Sequence, residues 1–221
     1  MKENTKRLII LGSIFIAVFV IWTLLIQKID VQPLGANGTN IGFATVNSWF
    51  HKLTGVHMEL YNITDWLGLV PIFICMLFGV GGFVQLIKRS SLLKVDCDII
   101  ILGIYYIVVI FGYLFFEMIP INYRPVLIEG FLEASYPSST TLLVLCVMPT
   151  LSEQINRRAK NATVKSIVKV FAICFSVFMV LGRLISGVHW FTDIVGSIIL
   201  SSGLFCIYKA VVLFCNKEKN K

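Results

Sequence analysis

GRLISGVHWFTD, residues 182–193, sets an arginine, a histidine and an aspartate at the junction of two long apolar runs. Ionisable groups in such a place are costly and mark functional positions. His189 and Asp193 stand four apart, so helical geometry predicts them stacked on one face, with Arg183 just upstream. The surroundings must therefore be a membrane, and the junction must be a site.

Composition supports the first half of that statement. The 221 residues are 57% hydrophobic and 14% charged, with mean hydropathy +0.85. A soluble domain of this size could not cover so much apolar surface, so the bilayer is the natural solvent. A net charge of +7 would suit nucleic acid, but the basic residues are spread through short loops and form no compact stripe with interleaved aromatics. No nucleic-acid partner is expected. The six cysteines lie in or near apolar runs without a CxxC pair, which predicts small apolar filler rather than disulfides or zinc.

Outward from residues 182–193, six apolar runs are readable: about 8–26, 66–87, 98–116, 138–154, 166–182 and 190–212. About 20 helical residues cross a bilayer core, so most suffice. The fourth is short and interrupted by Pro149, which predicts one end in protein-lined, wetter surroundings. The expectation is an all-α polytopic membrane protein with about six transmembrane helices. Residues 1–65 form the first span and an outer amphipathic loop, 66–212 a helical-bundle core, and 213–221 a basic tail.

Lysines and arginines set the orientation. Lys2, Lys6 and Arg7 precede the first span; Lys88, Arg89 and Lys94 fill the second loop; Arg157, Arg158, Lys160 and Lys165 fill the fourth; Lys217, Lys219 and Lys221 end the chain. The positive-inside rule then puts both termini in the cytoplasm. Residues 27–65, 117–137 and 183–189 share the outer face. The first of these carries Trp49, Phe50, His51, His57, Tyr61 and Trp66, as an amphipathic segment at the interface would.

Three outer segments carry phosphate chemistry. Arg124 and Arg183 offer planar donor forks. Pro137-Ser138-Ser139-Thr140 opens the fourth run as a helix N-terminus would, with free N–H groups and hydroxyls for an anion. His189 can attack phosphorus through one ring nitrogen while Asp193 holds the other N–H and stabilises the imidazolium.

Arg124-Pro125, Pro137-Ser138-Ser139, Arg183, His189 and Asp193 together resemble the type 2 phosphatidic acid phosphatase family, integral-membrane relatives of the vanadium haloperoxidases, over roughly residues 66–212. Six spans with an outward site are similar to its bacterial members, so the resemblance implies an integral protein of a bacterial cell membrane with a lipid phosphatase-like core. It further implies a phosphohistidine formed on His189 with Asp193 orienting it. Phosphate would be bound by Arg124, Arg183, Ser138, Ser139 and Thr140, with no metal and no organic cofactor.

Three positions depart from the family pattern. Glu117 stands where the family has Lys, Thr140 where it has the His that protonates the leaving group, and Gly182 where it has Ser. Two readings follow. The first is a phosphoric ester or diphosphate hydrolase acting on a membrane lipid at the outer leaflet, favouring a diphosphate such as a polyprenyl diphosphate. The alternative is a catalytically impaired phospholipid head-group binding protein of the same fold. A replacement acid could come from His51 or His57. Glu117 is the candidate modulator: it could pair with Arg124 or Arg183, or hold a cation with Glu129 or Glu133. The lipid and the oligomeric state stay open.

Overall fold

The computed structural model describes residues 3–218. Eight α-helices follow one another: α1 (Glu3–Ile26), α2 (Ala44–Thr54), α3 (Met58–Leu67), α4 (Leu69–Arg89), α5 (Cys97–Met118), α6 (Ser139–Arg158), α7 (Ala162–Ile185) and α8 (Phe191–Glu218). Among the described residues there is no strand, only isolated bridges. The expected all-α class holds.

Five stretches are long and apolar enough to cross a membrane: Glu3–Ile26, Met58–Arg89, Cys97–Met118, Ala162–Ile185 and Phe191–Cys215. Their outer faces carry large apolar side chains, Phe73, Val80, Phe83 and Phe111 among them, more than half exposed. That surface is what lipid covers, and the chain is an integral membrane protein.

The fourth run, 138–154, became α6, which is not apolar enough to join those five. It does not need to be. Helices α4, α5, α7 and α8 pack around it, and it buries Leu142, Val144, Cys146, Val147 and Met148 in the core. Its polar groups find protein partners instead of water. Tyr106 and Thr150 hydroxyls are 2.8 Å apart, and Gln154 Nε2 donates to Tyr208 Oη at 2.9 Å.

The aromatic outer segment is two helices, α2 and α3, rather than one strip at the interface. Asn47 clamps α2 to the start of α8: its Nδ2 donates to Thr192 Oγ1 at 3.0 Å, and its Oδ1 accepts from Thr192 N at 3.2 Å. The His57 N–H donates to the Ser186 carbonyl at 2.9 Å, seating α3 beside the end of α7.

One expectation fails outright. Cys97 and Cys215, with Cα atoms 6.6 Å apart, are joined in a disulfide. Apolar filler described each cysteine alone; it could not show that the start of α5 and the end of α8 lie side by side. At the same end of the bundle Asp96 accepts from Arg89 (2.8 Å) and Arg158 (3.2 Å), so α4 and α6 are tied to the chain entering α5. The Arg89 hydrogen bond holds the Asp96 carboxyl below its usual range, against partial burial, with Arg158 and Gln85 adding to the effect.

Candidate active site

Residues 182–193 fold as a helix end, a turn and a helix start. Ser186 closes α7, its N–H donating to Gly182 O at 2.9 Å and its hydroxyl to Arg183 O at 2.8 Å. Gly187 follows at φ +70, the left-handed position that ends many helices, with no room for a side chain against the Gly55 carbonyl. The chain then turns inward and buries Val188, His189 and Trp190. His189 and Asp193 therefore do not stack on one helical face, as their spacing suggested. His189 precedes the helix, and Asp193 sits in its first turn, where Oδ2 accepts from Trp190 N at 2.9 Å like the acid of a capping box.

This geometry changes how the histidine is held. Nδ1 donates to the Ser135 carbonyl at 3.2 Å, while Asp193 Oδ2 lies 3.8 Å away. A carbonyl can only accept, so this bond places the proton on Nδ1 and the lone pair on Nε2. Asp193 is fully buried and also accepts from Asn122 Nδ2 at 3.4 Å. Burial pushes His189 well below the ordinary histidine range; the charges of Arg124 and Arg183 push the same way, and the Ser135 carbonyl opposes them. His189 is thus a neutral imidazole whose buried Nε2 has no partner among the described residues.

Both predicted arginines meet there. Arg183, 1% exposed, donates from Nη2 to Thr140 Oγ1 at 2.6 Å and to Asp65 Oδ1 at 3.0 Å. Arg124 comes from the loop of residues 119–137, where its N–H bonds the Glu133 carbonyl at 3.0 Å and its Nε lies 3.1 Å from Glu133 Oε2. That Nε–carboxylate contact is an ion pair without hydrogen-bond geometry. The Tyr61 ring stacks under both guanidinium groups, 5.5 Å from Arg124 Cζ and 4.8 Å from Arg183 Cζ. Buried Nη1 of Arg124, and Nε and Nη1 of Arg183, have no hydrogen-bond partner among the described residues. Buried donors are normally satisfied, so these are donors that an anion could satisfy.

The remaining expected residues divide. Thr140 and Ser139 open α6 beside Arg183, and Ser139 also lines a small space with Glu117 and Tyr113. The Ser138 hydroxyl turns away and donates to Thr141 Oγ1 at 3.0 Å. Glu117 makes no ion pair with Arg124 or Arg183; those partners are Glu133 and Asp65, because Glu117 projects from the exposed end of α5. Among the described residues no group of three His, Cys, Asp or Glu could hold a metal ion. His57 Nε2 bonds the Thr54 carbonyl at 2.8 Å, on an exposed face. His51 lies 5.5 Å from the Trp190 ring, and burial lowers its pKa.

Asp65, Tyr61, Asn122 and the Ser135 carbonyl were not anticipated, and Glu133 was expected beside Glu117 rather than as the partner of Arg124. Of the first four only Tyr61 carried a signal, as one aromatic among many in the outer loop.

The sequence matches the model of the PAP2 superfamily over residues 99–217. No curated protein matches it. Among solved structures, the fold is similar to the crystal structure of the first transmembrane PAP2 type phosphatidylglycerolphosphate phosphatase from Bacillus subtilis. The TM-score is 0.64 at 16% identity, covering 95% of this chain and 97% of that one.

Proposed function

The chain belongs to the PAP2 superfamily, and from that premise we propose that it is a lipid phosphatase working through a phosphohistidine on His189. One observation carries the reading: a neutral, partnerless Nε2 shares a buried site with the unpaired donors of two arginines. Nε2 attacks phosphorus, the N–P bond forms and the P–O bond to the leaving group breaks. Arg124 and Arg183 hold the non-bridging oxygens, each hydrogen bond to the charged group contributing roughly 1.5–3 kcal/mol. The positive charge then gained by the imidazole is balanced by Asp193 and the Ser135 carbonyl. Water subsequently attacks phosphorus, releases phosphate and regenerates His189.

A lipid substrate fits the surroundings. An apolar cleft of about 440 Å³ between α4, α5 and α6 is lined by Ile72, Val109 and Leu143 and ends at Asp65 and Thr140. A hydrocarbon chain lying there would bring its phosphate to Arg183.

Thr140 decides the preferred leaving group. A general acid typically contributes about 10²–10⁴ in rate, and the Thr140 hydroxyl is already the acceptor for Arg183. A lipid alkoxide, with a conjugate acid near pKa 15, needs that proton. A phosphate monoester, whose second pKa is around 6, leaves nearly without it. The substrate is therefore a lipid diphosphate, a polyprenyl diphosphate fitting the description, attacked at its terminal phosphorus.

The same commitment of Thr140 favours a second reading, a head-group binder that does not turn over. Phosphate release by purified protein from matched lipid mono- and diphosphates separates the two. The enzyme predicts diphosphate turnover that His189→Ala abolishes. Tight vanadate binding with no release from either lipid establishes the binder instead.

A further inference from the structure

The end of the bundle opposite His189 holds a second cavity, about 710 Å³, between α6, α7 and α8. Its mouth is basic, with Lys165 and Lys169 from α7 and Lys209 from α8. Glu153 is its one acidic residue and is already engaged, 2.7 Å from Arg157 Nη2 and 3.5 Å from Lys209 Nζ. Among the described residues Lys165 and Lys169 have no carboxylate partner. They stand four apart on one face of α7, an arrangement that repels.

Away from the mouth the cavity turns apolar. Through Leu145, Pro149, Val177 and Phe205 it shares walls with another space of about 430 Å³ that reaches Leu181 and Ile198, toward the far ends of α7 and α8. The opening has a local origin. Helices α7 and α8 both pack on α6 but scarcely on each other, and Ala172, Ser176 and Ser202 leave the gap between them unfilled.

Cations at one end and a hydrocarbon-lined channel at the other match a single phospholipid standing in its leaflet. We propose that this groove is a binding site for an anionic phospholipid of the leaflet opposite the phosphate site. The head-group phosphate lies among Lys165, Lys169 and Lys209, and one acyl chain runs along Pro149 and Phe205. Basic pockets between membrane helices recognise anionic head groups in this way. The lysines disfavour a choline head group, whose quaternary ammonium they repel. The site is separate from the catalytic one and stands whether or not His189 turns over substrate.

Full-length protein in nanodiscs of equal phosphatidylcholine and phosphatidylglycerol, released into a mass spectrometer under native conditions, reads the retained lipid directly. Wild type is expected to retain phosphatidylglycerol selectively. Each lysine near the surface is worth about fivefold in affinity, so the double variant Lys165→Ala, Lys169→Ala should lower that retention by about 25-fold. Ser176→Phe, which fills the channel without changing charge, should lower it as well. The control pair Lys94→Ala, Lys160→Ala removes the same charge outside the groove and should leave it intact. Equal retention of both lipids, equal loss in the control pair, or a dimer with a second copy in the groove would each overturn the proposal.

Discussion

Arg183 depends on partners that lie far away in sequence. Its Nη2 is shared by Thr140 and by Asp65, whose side chain is 55% exposed, and Tyr61 supports the guanidinium from below. Because Asp65 is largely solvated, its worth lies in aiming the arginine more than in stability. Asp65→Asn should lower kcat/KM on a lipid diphosphate by about tenfold, near 1.5 kcal/mol, with little change in melting temperature. A large loss of stability at unchanged kcat/KM would assign Asp65 a purely structural role. His189 makes a pH prediction whose sign is fixed by its lowered pKa. The unfolded chain takes up a proton near pH 6.5 and the folded chain does not, so the unfolded state binds more protons below that pH. Stability is therefore full above about pH 6.5 and falls as the pH drops through it. Melting curves from about pH 8 to 5 should show this, and His189→Asn should flatten it; parallel curves for the two proteins would contradict it.

The helix that brings Asp65 to the site is seated by Gly182. A Cβ at Gly182 would lie 2.6 Å from Thr64 Cγ2 and 3.7 Å from Leu60 Cδ1, so α3 meets α7 at the bare backbone. This gives the departure from the family's serine a physical reason. Gly182→Ser should destabilise the protein by about 1–3 kcal/mol through overpacking, seen as a lower melting temperature. Adding Thr64→Ser removes the offending methyl and keeps the hydroxyl bonds to Leu60 O and Tyr61 O; it should restore most of the loss. No restoration would mean that the Gly182–Thr64 contact does not seat α3. The same pair explains what the sequence could not disclose. Arg183, His189 and Asp193 were readable because charge inside an apolar run is rare. Asp65 was not, because a carboxylate in a polar outer loop is ordinary and its partner stands 118 residues away. The Ser135 carbonyl has no side-chain signature at all. Helical spacing misled at His189, since the left-handed turn at Gly187 ends one helix before the next begins.

For the whole molecule, apolar run length predicted the helices well, and hydropathy was weakest where protein replaces lipid around α6. The Cys97–Cys215 bond was invisible for the opposite reason, being a fact of packing between distant elements. Orientation rests on the lysines and arginines alone. Single cysteines introduced at Lys160 and at Phe131, in a background without other reactive thiols, should react with an impermeant maleimide from opposite sides, Phe131→Cys from outside. The reverse pattern would put the site in the cytoplasm. The account stands most directly on the covalent intermediate. Rapid quenching of wild-type protein with a lipid diphosphate labelled at its terminal phosphorus should trap label on His189, stable to base and lost in acid, and His189→Ala should carry none. Steady phosphate release without trapped label, persisting in His189→Ala, would contradict it.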